Sequence, residues 1–258
     1  MKWLEQQRIR YTLSHHPVPR EVWDGLIHEA KIFHGLSAVE RAHLRELTTL
    51  FLHRKNLIGV QGLTVSPAIA VAVAAQACLL ILKLGLDHYD GCIDVVIYPG
   101  AFWVVRNTTD AAGVVSQQEQ ALSGESWSRG PVILSWDDIA ADLAAPQPGR
   151  NVVVHEFAHK LDMLDGSTNG APPLHSDMEP QQWSEVFSAA FDHLQQRLAF
   201  HQSPGINAYA ATSPAEFFAV VSEYFFTDPQ TLHQHYPMIY DQLALFYRQN
   251  TITRAGAE

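Results

Sequence analysis

The apolar positions recur at helical spacing over most of the chain, and short strand-like runs occupy its middle. Two helices are predicted within residues 19–60, the second opened by the capping box at 37–40. Apolar runs separated by Pro and Gly predict strands at 93–98, 102–105 and 132–136. Later helices are predicted at 152–164, 181–200, 213–226 and 238–249. This order favours an α+β fold with a small sheet and many helices.

Residues 67–86 form an apolar run close to the length of about 20 residues that a bilayer requires. The run contains Gln76 and Lys83, and it begins with Ser66 and Pro67, which are typical of the start of a helix in a globular protein. Two interpretations remain, a membrane span and a buried helix, and the polar residues favour the buried helix.

The segment His155-Glu156-Phe157-Ala158-His159 carries the strongest chemical signal. Two histidines four residues apart lie on one helix face, so both imidazoles can reach one metal ion. The glutamate between them is suited to take a proton from water, as in the H-E-x-x-H pattern of zinc hydrolases. The alternative is a surface helix on which the three side chains are merely solvated.

A catalytic zinc site needs a third protein ligand, and residues 213–226 are the best place to look. Ser213 and Pro214 predict a helix start, and most of the residues that follow are apolar. Glu216 and Glu223 lie on one face of this largely buried helix, where a carboxylate is costly unless it is paired or bound to metal. Both buried carboxylates are explained if one of them binds the metal and the other hydrogen-bonds to a metal ligand. The alternative is that one caps a helix end or pairs with an arginine.

A family resemblance joins these motifs. His155 through Asp162, Tyr209-Ala210-Ala211 and the run at 214–226 resemble the Mlc titration factor A family, and residues 123–127 and 130–136 are supportive. That family consists of bacterial zinc metallopeptidases, similar in active-site layout to the catalytic domain of anthrax lethal factor.

The resemblance implies a zincin-like fold, in which a small sheet packs on the H-E-x-x-H helix, and one Zn²⁺ per chain. It implies that His155, His159 and Glu216 bind the zinc, that Glu156 is the general base and that Tyr209 steadies the oxyanion. The implied activity is hydrolysis of short peptides, with an aminopeptidase as one form of it. The implied partner is the glucose-responsive repressor Mlc. Two alternatives stay open: a repressor-binding protein with an auxiliary zinc site, and a structural zinc site without turnover.

Helix spacing adds two residues that are expected to support the metal ligands. Asp162 follows His159 by three residues on the same face, and Glu223 could accept the free ring N–H of a zinc-bound histidine. The run at 130–136 is the candidate sheet edge for a substrate strand, or else an ordinary core strand. The loop at 165–180, with Gly and Pro throughout, fits a lid or a plain connector.

Composition sets the broader limits. The 258 residues are 47% hydrophobic and 17% charged, which fits a single compact domain over 1–258 with a mainly helical part at 1–90 and a catalytic part at 91–258. The formal charge is −10, and the first 60 residues are net basic, so the catalytic part is strongly acidic. That charge opposes direct nucleic-acid binding. Cys78 and Cys92 lack metal or redox spacing, and no secretory signal is visible, so a cytoplasmic location is expected.

Overall fold

The computed structural model describes residues 2–100, 102–109, 115–122, 124–126 and 130–255. The helices in these residues are α1 Lys2–His15, α2 Arg20–Glu29, α3 Ala38–Arg54, α4 Pro67–Leu80, α5 Trp136–Ala144, α6 Val152–Asp162, α7 Pro180–Ala199, α8 Pro214–Thr227, α9 Pro229–His235, α10 Pro237–Tyr247 and α11 Thr251–Ala255. The strands are β1 Asn56–Gly59, β2 Asp94–Tyr98, β3 Phe102–Thr109, β4 Val115–Leu122, β5 Gly124–Ser126 and β6 Val132–Ser135. Helices and a small sheet thus form a mixed α+β fold, as predicted.

Four strands form the main sheet in the order β1-β2-β6-β5. The first three are parallel, with Val96 of β2 opposite both Ile58 and Ile133, and β5 runs antiparallel to β6. Strands β3 and β4 form a separate antiparallel hairpin. Of the segment at 123–127, the structure describes β5, whereas Ser123 and Trp127 lie outside the described residues.

Of the two interpretations of residues 130–136, the sheet edge is wrong and the core strand is confirmed. Strand β6 lies between β2 and β5 and forms ladders with both, so its backbone is not open to an added strand. The strand run also ends one residue early. Ser135 caps helix α5 by accepting the backbone N–H of Asp138, and Trp136 therefore begins a helix.

The apolar run after Ser66 forms the buried helix α4. Its N-cap is the Ser66 side chain, Pro67 follows in the first turn, and residues 71–80 are all buried. Helix α4 packs against α3, α2 and α6, and its many alanines suit such close packing. No helix in the described part of the chain is long and apolar enough to cross a membrane.

The helical pattern in residues 37–60 ends earlier than predicted. The capping box at Ser37 and Glu40 is present, with both of its reciprocal hydrogen bonds, and α3 begins at Ala38. The helix stops at Arg54, and the next residues form β1 beside β2. Helix α1 was also absent from the predicted elements; its weak amphipathic pattern gives little periodic signal.

Helix α6 carries the H-E-x-x-H segment and contacts α4, α8, β5 and β6. Asn151 caps it by accepting the backbone N–H of Val154 at 2.8 Å. Nine of its eleven residues are buried. The apolar ones fill the core between α4 and α8, so the histidines are held on a rigid element and not on a surface helix.

Candidate metal centre

Two helices bring the predicted ligands together. Helix α6 presents His155 and His159, and α8 presents Glu216 from its first turn, where the Ser213 side chain accepts the Glu216 backbone N–H. One ligand atom from each of the three side chains lies within 4.8 Å of the others. Within the described residues, these three form the one such group of His, Cys, Asp or Glu side chains.

The ligand atoms face one another at close range. Nε2 of His155 lies 3.2 Å from Nε2 of His159. Oε2 of Glu216 lies 3.0 Å from Nε2 of His155 and 3.4 Å from Nε2 of His159. Despite these distances, Oε2 of Glu216 is buried without a well-aligned hydrogen bond. The three ligand atoms are therefore close enough together to bind one metal ion.

The proton on His155 is fixed by its other neighbour. Its Nδ1 lies 2.8 Å from Oε1 of Glu223, and an ionised carboxylate only accepts, so Nδ1 carries a proton. In neutral His155 the Nε2 atom is then a bare lone pair, as a metal ligand must be.

The electrostatics of the site also fit a cation. Burial alone would lower the pKa of His155, but Glu216 and Glu223 raise it well above its usual range. Burial would raise the pKa of Glu216, but His155 and His159 hold it well below its usual range. The site therefore places the carboxylates of Glu216 and Glu223 against the imidazoles and attracts positive charge. These residues fit a divalent metal ion, which would supply that charge.

Glu156 is buried on the same helix, with 4% of its surface exposed. Its Oε2 atom has no hydrogen-bond partner. Burial raises the pKa of Glu156 to about 7, although the nearby His155 and His159 oppose that shift. A carboxylate with such a pKa can take up and release a proton near neutral pH.

Tyr209 lies at the rim of this centre. It belongs to a short 3₁₀ helix, Ala208–Ala211, that precedes α8, and its backbone N–H is accepted by the Asn207 side chain. Its ring centroid is 6.1 Å from that of His155. The side chain is 47% exposed, so it is open to a molecule that approaches the histidines.

Asp162 lies at the end of α6 and holds the following loop. Its Oδ2 accepts the backbone N–H of Gly170 at 2.9 Å, while its Oδ1 is buried without a partner. Burial raises the pKa of Asp162, opposed by the Gly170 N–H and by the charge of His159. The carbonyl of Gly170 accepts the Trp183 indole N–H. The middle of the loop at 165–180 is therefore hydrogen-bonded both to α6, through Asp162, and to α7, through Trp183.

Two residues that sequence reasoning did not assign to the site lie behind it. The Asn151 backbone N–H donates to Oε2 of Glu223, and the Asn151 side chain donates to Oε1 of Gln76 at 2.7 Å. From the sequence, Gln76 indicated only that α4 is not a membrane span. An amide within an otherwise apolar helix was the signal that a buried partner exists.

The remaining histidines do not extend the centre. His175 lies in the loop after α6. Its Nε2 is 2.8 Å from the backbone carbonyl of Phe246, and its ring stacks on the ring of Phe246. His16 stacks on His53, and His233 packs edge-on against Tyr240. These contacts are those of packed or surface side chains.

A histidine pair on one helix, a glutamate from a second helix and a buried glutamate between the histidines define a metallopeptidase type of centre. Comparison with known families agrees: the chain belongs to the family described as glucose-regulated metallo-peptidase M90, which matches residues 1–248.

Several relatives are similar over most of their length. The chain is 39% identical to Mlc titration factor A of Klebsiella pneumoniae over 221 residues, which cover 85% of this chain and 83% of the relative. It is 37% identical to Mlc titration factor A of Salmonella arizonae over 235 residues, covering 90% and 92%. An uncharacterized protein of Synechocystis is 36% identical over 249 residues, covering 96% and 88%.

Proposed function

We propose that the protein is a zinc-dependent metallopeptidase that hydrolyses short peptides. The observation that carries this proposal is the convergence of His155, His159 and Glu216 on one space beside the buried carboxylate of Glu156, whose Oε2 has no hydrogen-bond partner. A purely structural metal site has no use for such a carboxylate, so this arrangement favours turnover over a structural role.

His155, His159 and Glu216 would hold the metal. Two imidazole nitrogens and one carboxylate oxygen are the donor set of catalytic zinc sites in peptidases, with one position left for water or substrate. When bound there, zinc supplies Lewis acidity, which lowers the pKa of water and polarises a peptide carbonyl.

Glu156 would act as the general base and then as the general acid. With a pKa near 7 in the protein described here, it can accept a proton from the attacking water. It can return that proton to the amine that leaves when the peptide C–N bond breaks. Its buried position keeps the carboxylate from being fully solvated, which preserves its basicity.

Tyr209 would donate a hydrogen bond to the carbonyl oxygen as negative charge develops on it. Its ring lies beside that of His155, and its side chain is exposed at the rim of the centre. Loss of one such donor typically lowers turnover about 10²–10³-fold.

The fold supports a zincin-like arrangement within one domain over residues 1–258. Helix α6 contacts β5 and β6 of the main sheet, and the family match runs through both the helical N-terminal part and the catalytic part. Strand β5 lies at the end of that sheet and contacts α6. It replaces β6 as the strand along which we expect a peptide to bind.

A second role is favoured by the relatives. Several are named Mlc titration factor A, and they cover most of this chain. We therefore propose binding of the repressor Mlc as an additional function, with a repressor-binding protein whose zinc site is auxiliary as the alternative. A cytoplasmic location fits this partner and the two free, buried cysteines.

The decisive experiment is digestion of a mixed peptide pool by zinc-loaded wild-type protein and the Glu156→Gln variant, read by mass spectrometry. Cleavage by the wild type alone would support the peptidase and the role of Glu156, and the products would reveal whether it is an aminopeptidase. Equal zinc content in both proteins is the control. No cleavage by either would favour the repressor-binding alternative.

A pull-down with Mlc separates the two roles. Binding of Mlc by both the wild type and Glu156→Gln would show that capture does not depend on hydrolysis. Failure of both proteins to bind would remove Mlc as a partner.

A further inference from the structure

A chain of buried amides connects helix α4 to the back of the metal centre. Gln76 is fully buried in α4, with 0% of its surface exposed. Its Nε2 donates to the carbonyl of Ala72 at 3.0 Å, and its Oε1 accepts from Nδ2 of Asn151 at 2.7 Å. Asn151 in turn contacts Glu223 through its backbone N–H, and Glu223 contacts Nδ1 of His155.

The orientation of each amide in this chain follows from its partners. Oδ1 of Asn151 must accept the Val154 N–H, because that bond caps α6. Nδ2 of Asn151 therefore faces Gln76, which must present its oxygen. The nitrogen of Gln76 is then left for the carbonyl of Ala72, where it is found. These hydrogen bonds allow only one orientation of the two amide groups, because the orientation of Asn151 determines that of Gln76.

Asn151 thereby performs two tasks at once. Its side chain sets the start of α6, four residues before His155, and its backbone N–H holds the Glu223 oxygen that does not face His155. Any shift of Asn151 thus moves the metal-bearing helix and the carboxylate that orients its first ligand. Gln76 is the side chain that holds the free end of the Asn151 amide.

We propose that Gln76 and Asn151 are positioning residues for the metal centre, acting through Glu223 to fix the ring of His155 with its bare Nε2 towards the metal. The proposal rests on the zinc site proposed above and adds to it residues that make no contact with the metal. Groups that orient metal ligands from outside typically change metal affinity about 10–100-fold when they are removed.

The alternative is that Gln76 and Asn151 only stabilise the fold. A buried glutamine that lost its partner would then lower stability without a specific effect on the metal. Gln249 offers a matched control. It is also buried, and its Nε2 donates to the carbonyls of Leu79 and Leu80 on the same helix α4, but it has no link to His155 in the described hydrogen bonds.

The test compares Gln76→Met, Asn151→Ser and Gln249→Met in the full chain. Methionine keeps the length of glutamine and removes its hydrogen bonds, while serine preserves a helix N-cap and removes the donor to Gln76. Zinc affinity is measured by competition with a chromophoric chelator. The cobalt-loaded proteins give a visible absorption spectrum that reports ligand geometry, and thermal unfolding of the metal-free proteins gives stability.

We expect Gln76→Met and Asn151→Ser to weaken zinc binding about 10-fold and to alter the cobalt spectrum. Gln249→Met should leave zinc affinity and the spectrum unchanged, whatever its effect on the melting temperature. Equal effects of Gln76→Met and Gln249→Met on zinc affinity, or no effect of either, would overturn the proposal. If wild-type protein binds zinc but cleaves no peptide, only the peptidase assignment fails, because the affinity comparison still decides the role of Gln76.

Discussion

Nδ1 of His155 lies 2.8 Å from Oε1 of Glu223, and the other oxygen of Glu223 accepts the backbone N–H of Asn151. Glu223 therefore uses both carboxylate oxygens as acceptors for two different donors. Once His155 is neutral, this pairing selects the tautomer in which Nε2 carries no proton and can bind a metal.

We predict that Glu223→Gln weakens zinc binding about 10–100-fold while the protein stays folded. A glutamine has one acceptor oxygen, so its NH₂ group must face either the N–H of Asn151, which cannot accept, or Nδ1 of His155, which accepts only in the tautomer that puts the proton on Nε2, the metal-binding atom. Calorimetric titration with zinc measures the affinity. Glu185→Gln, on the exposed face of α7, removes the same charge away from the site and should bind zinc as the wild type does. Unchanged affinity in Glu223→Gln would exclude Glu223 from this role.

Gly170 makes a second close connection, between the end of α6 and the start of α8. Its φ is +75°, and a Cβ on it would lie 2.3 Å from the carbonyl oxygen of Pro214, two residues before Glu216. We predict that Gly170→Ala destabilises the protein by about 3 kcal/mol, since backbone strain and a backbone collision add. It should also weaken zinc binding, because the start of α8 must move and Glu216 moves with it.

Gly166 provides the control for Gly170. It also has a left-handed backbone, with φ +91°, but a Cβ there would have no atom within 4 Å. Gly166→Ala should therefore cost only the strain of about 1–2 kcal/mol and leave zinc affinity unchanged. Denaturant unfolding and zinc titration of both variants check the pair. Equal losses of stability in the two variants would show that the contact with Pro214 is unimportant.

These connections explain which parts of the site the sequence could predict. His155 and His159 follow from spacing on one helix, and that relation is local. Glu216 could be predicted as a candidate ligand, because a carboxylate in an apolar helix needs a partner. The links through Gln76 and Gly170 join segments about 75 and 45 residues from their partners, and nothing in a single sequence pairs such distant residues.

The fold divides in the same way. Helices with a clear cap, such as α3 after Ser37 and α4 after Ser66, begin where the sequence predicts them. The order of strands was not predictable, because a short apolar run such as that of β6 has the same sequence pattern at an edge and between two neighbours. Strand β1 was missed because its four residues continue the apolar pattern of α3.

Zinc binding should release protons near neutral pH. In the metal-free protein His155 has a pKa well above its usual range, so its Nε2 is protonated and must lose that proton before it can bind zinc. Glu156, with a pKa of about 7, loses up to about half a proton more at pH 7 when a cation arrives beside it. Zinc affinity should therefore rise with pH between about 6 and 8.

Calorimetry at pH 7 in buffers of different ionisation enthalpy counts the released protons. The Glu156→Gln variant is the control, since glutamine does not titrate, and it should release fewer protons than the wild type. Zinc affinity that is independent of pH in this range would contradict the assignment of His155 as a ligand with a raised pKa.

Glu40 should make the protein sensitive to acid through a contact far from the metal. Burial raises the pKa of Glu40, but hydrogen bonds from Ser37 and the charge of Arg254 outweigh it and lower the pKa to about 2. Because the folded pKa lies below the unfolded value of about 4.5, this stabilisation is complete above about pH 5 and is lost as the pH falls towards 2.

The Glu40→Gln variant isolates the charge, because glutamine can still complete the capping box with Ser37. We expect it to be about 2 kcal/mol less stable than the wild type at pH 7, because it loses the ion pairs of Glu40 with Arg254 and Lys83. This figure is smaller than the pKa shift alone would give, because water partly screens these ion pairs. The difference should shrink to near zero by about pH 2.

Urea unfolding of the metal-free proteins from pH 7 to pH 2 measures this difference in stability. The metal is left out so that acid release of zinc does not contribute. Glu46→Gln, on the same helix with a single long contact to His43, should match the wild type throughout. A stability difference for Glu40→Gln that stays constant with pH would mean that the carboxylate charge is not its cause.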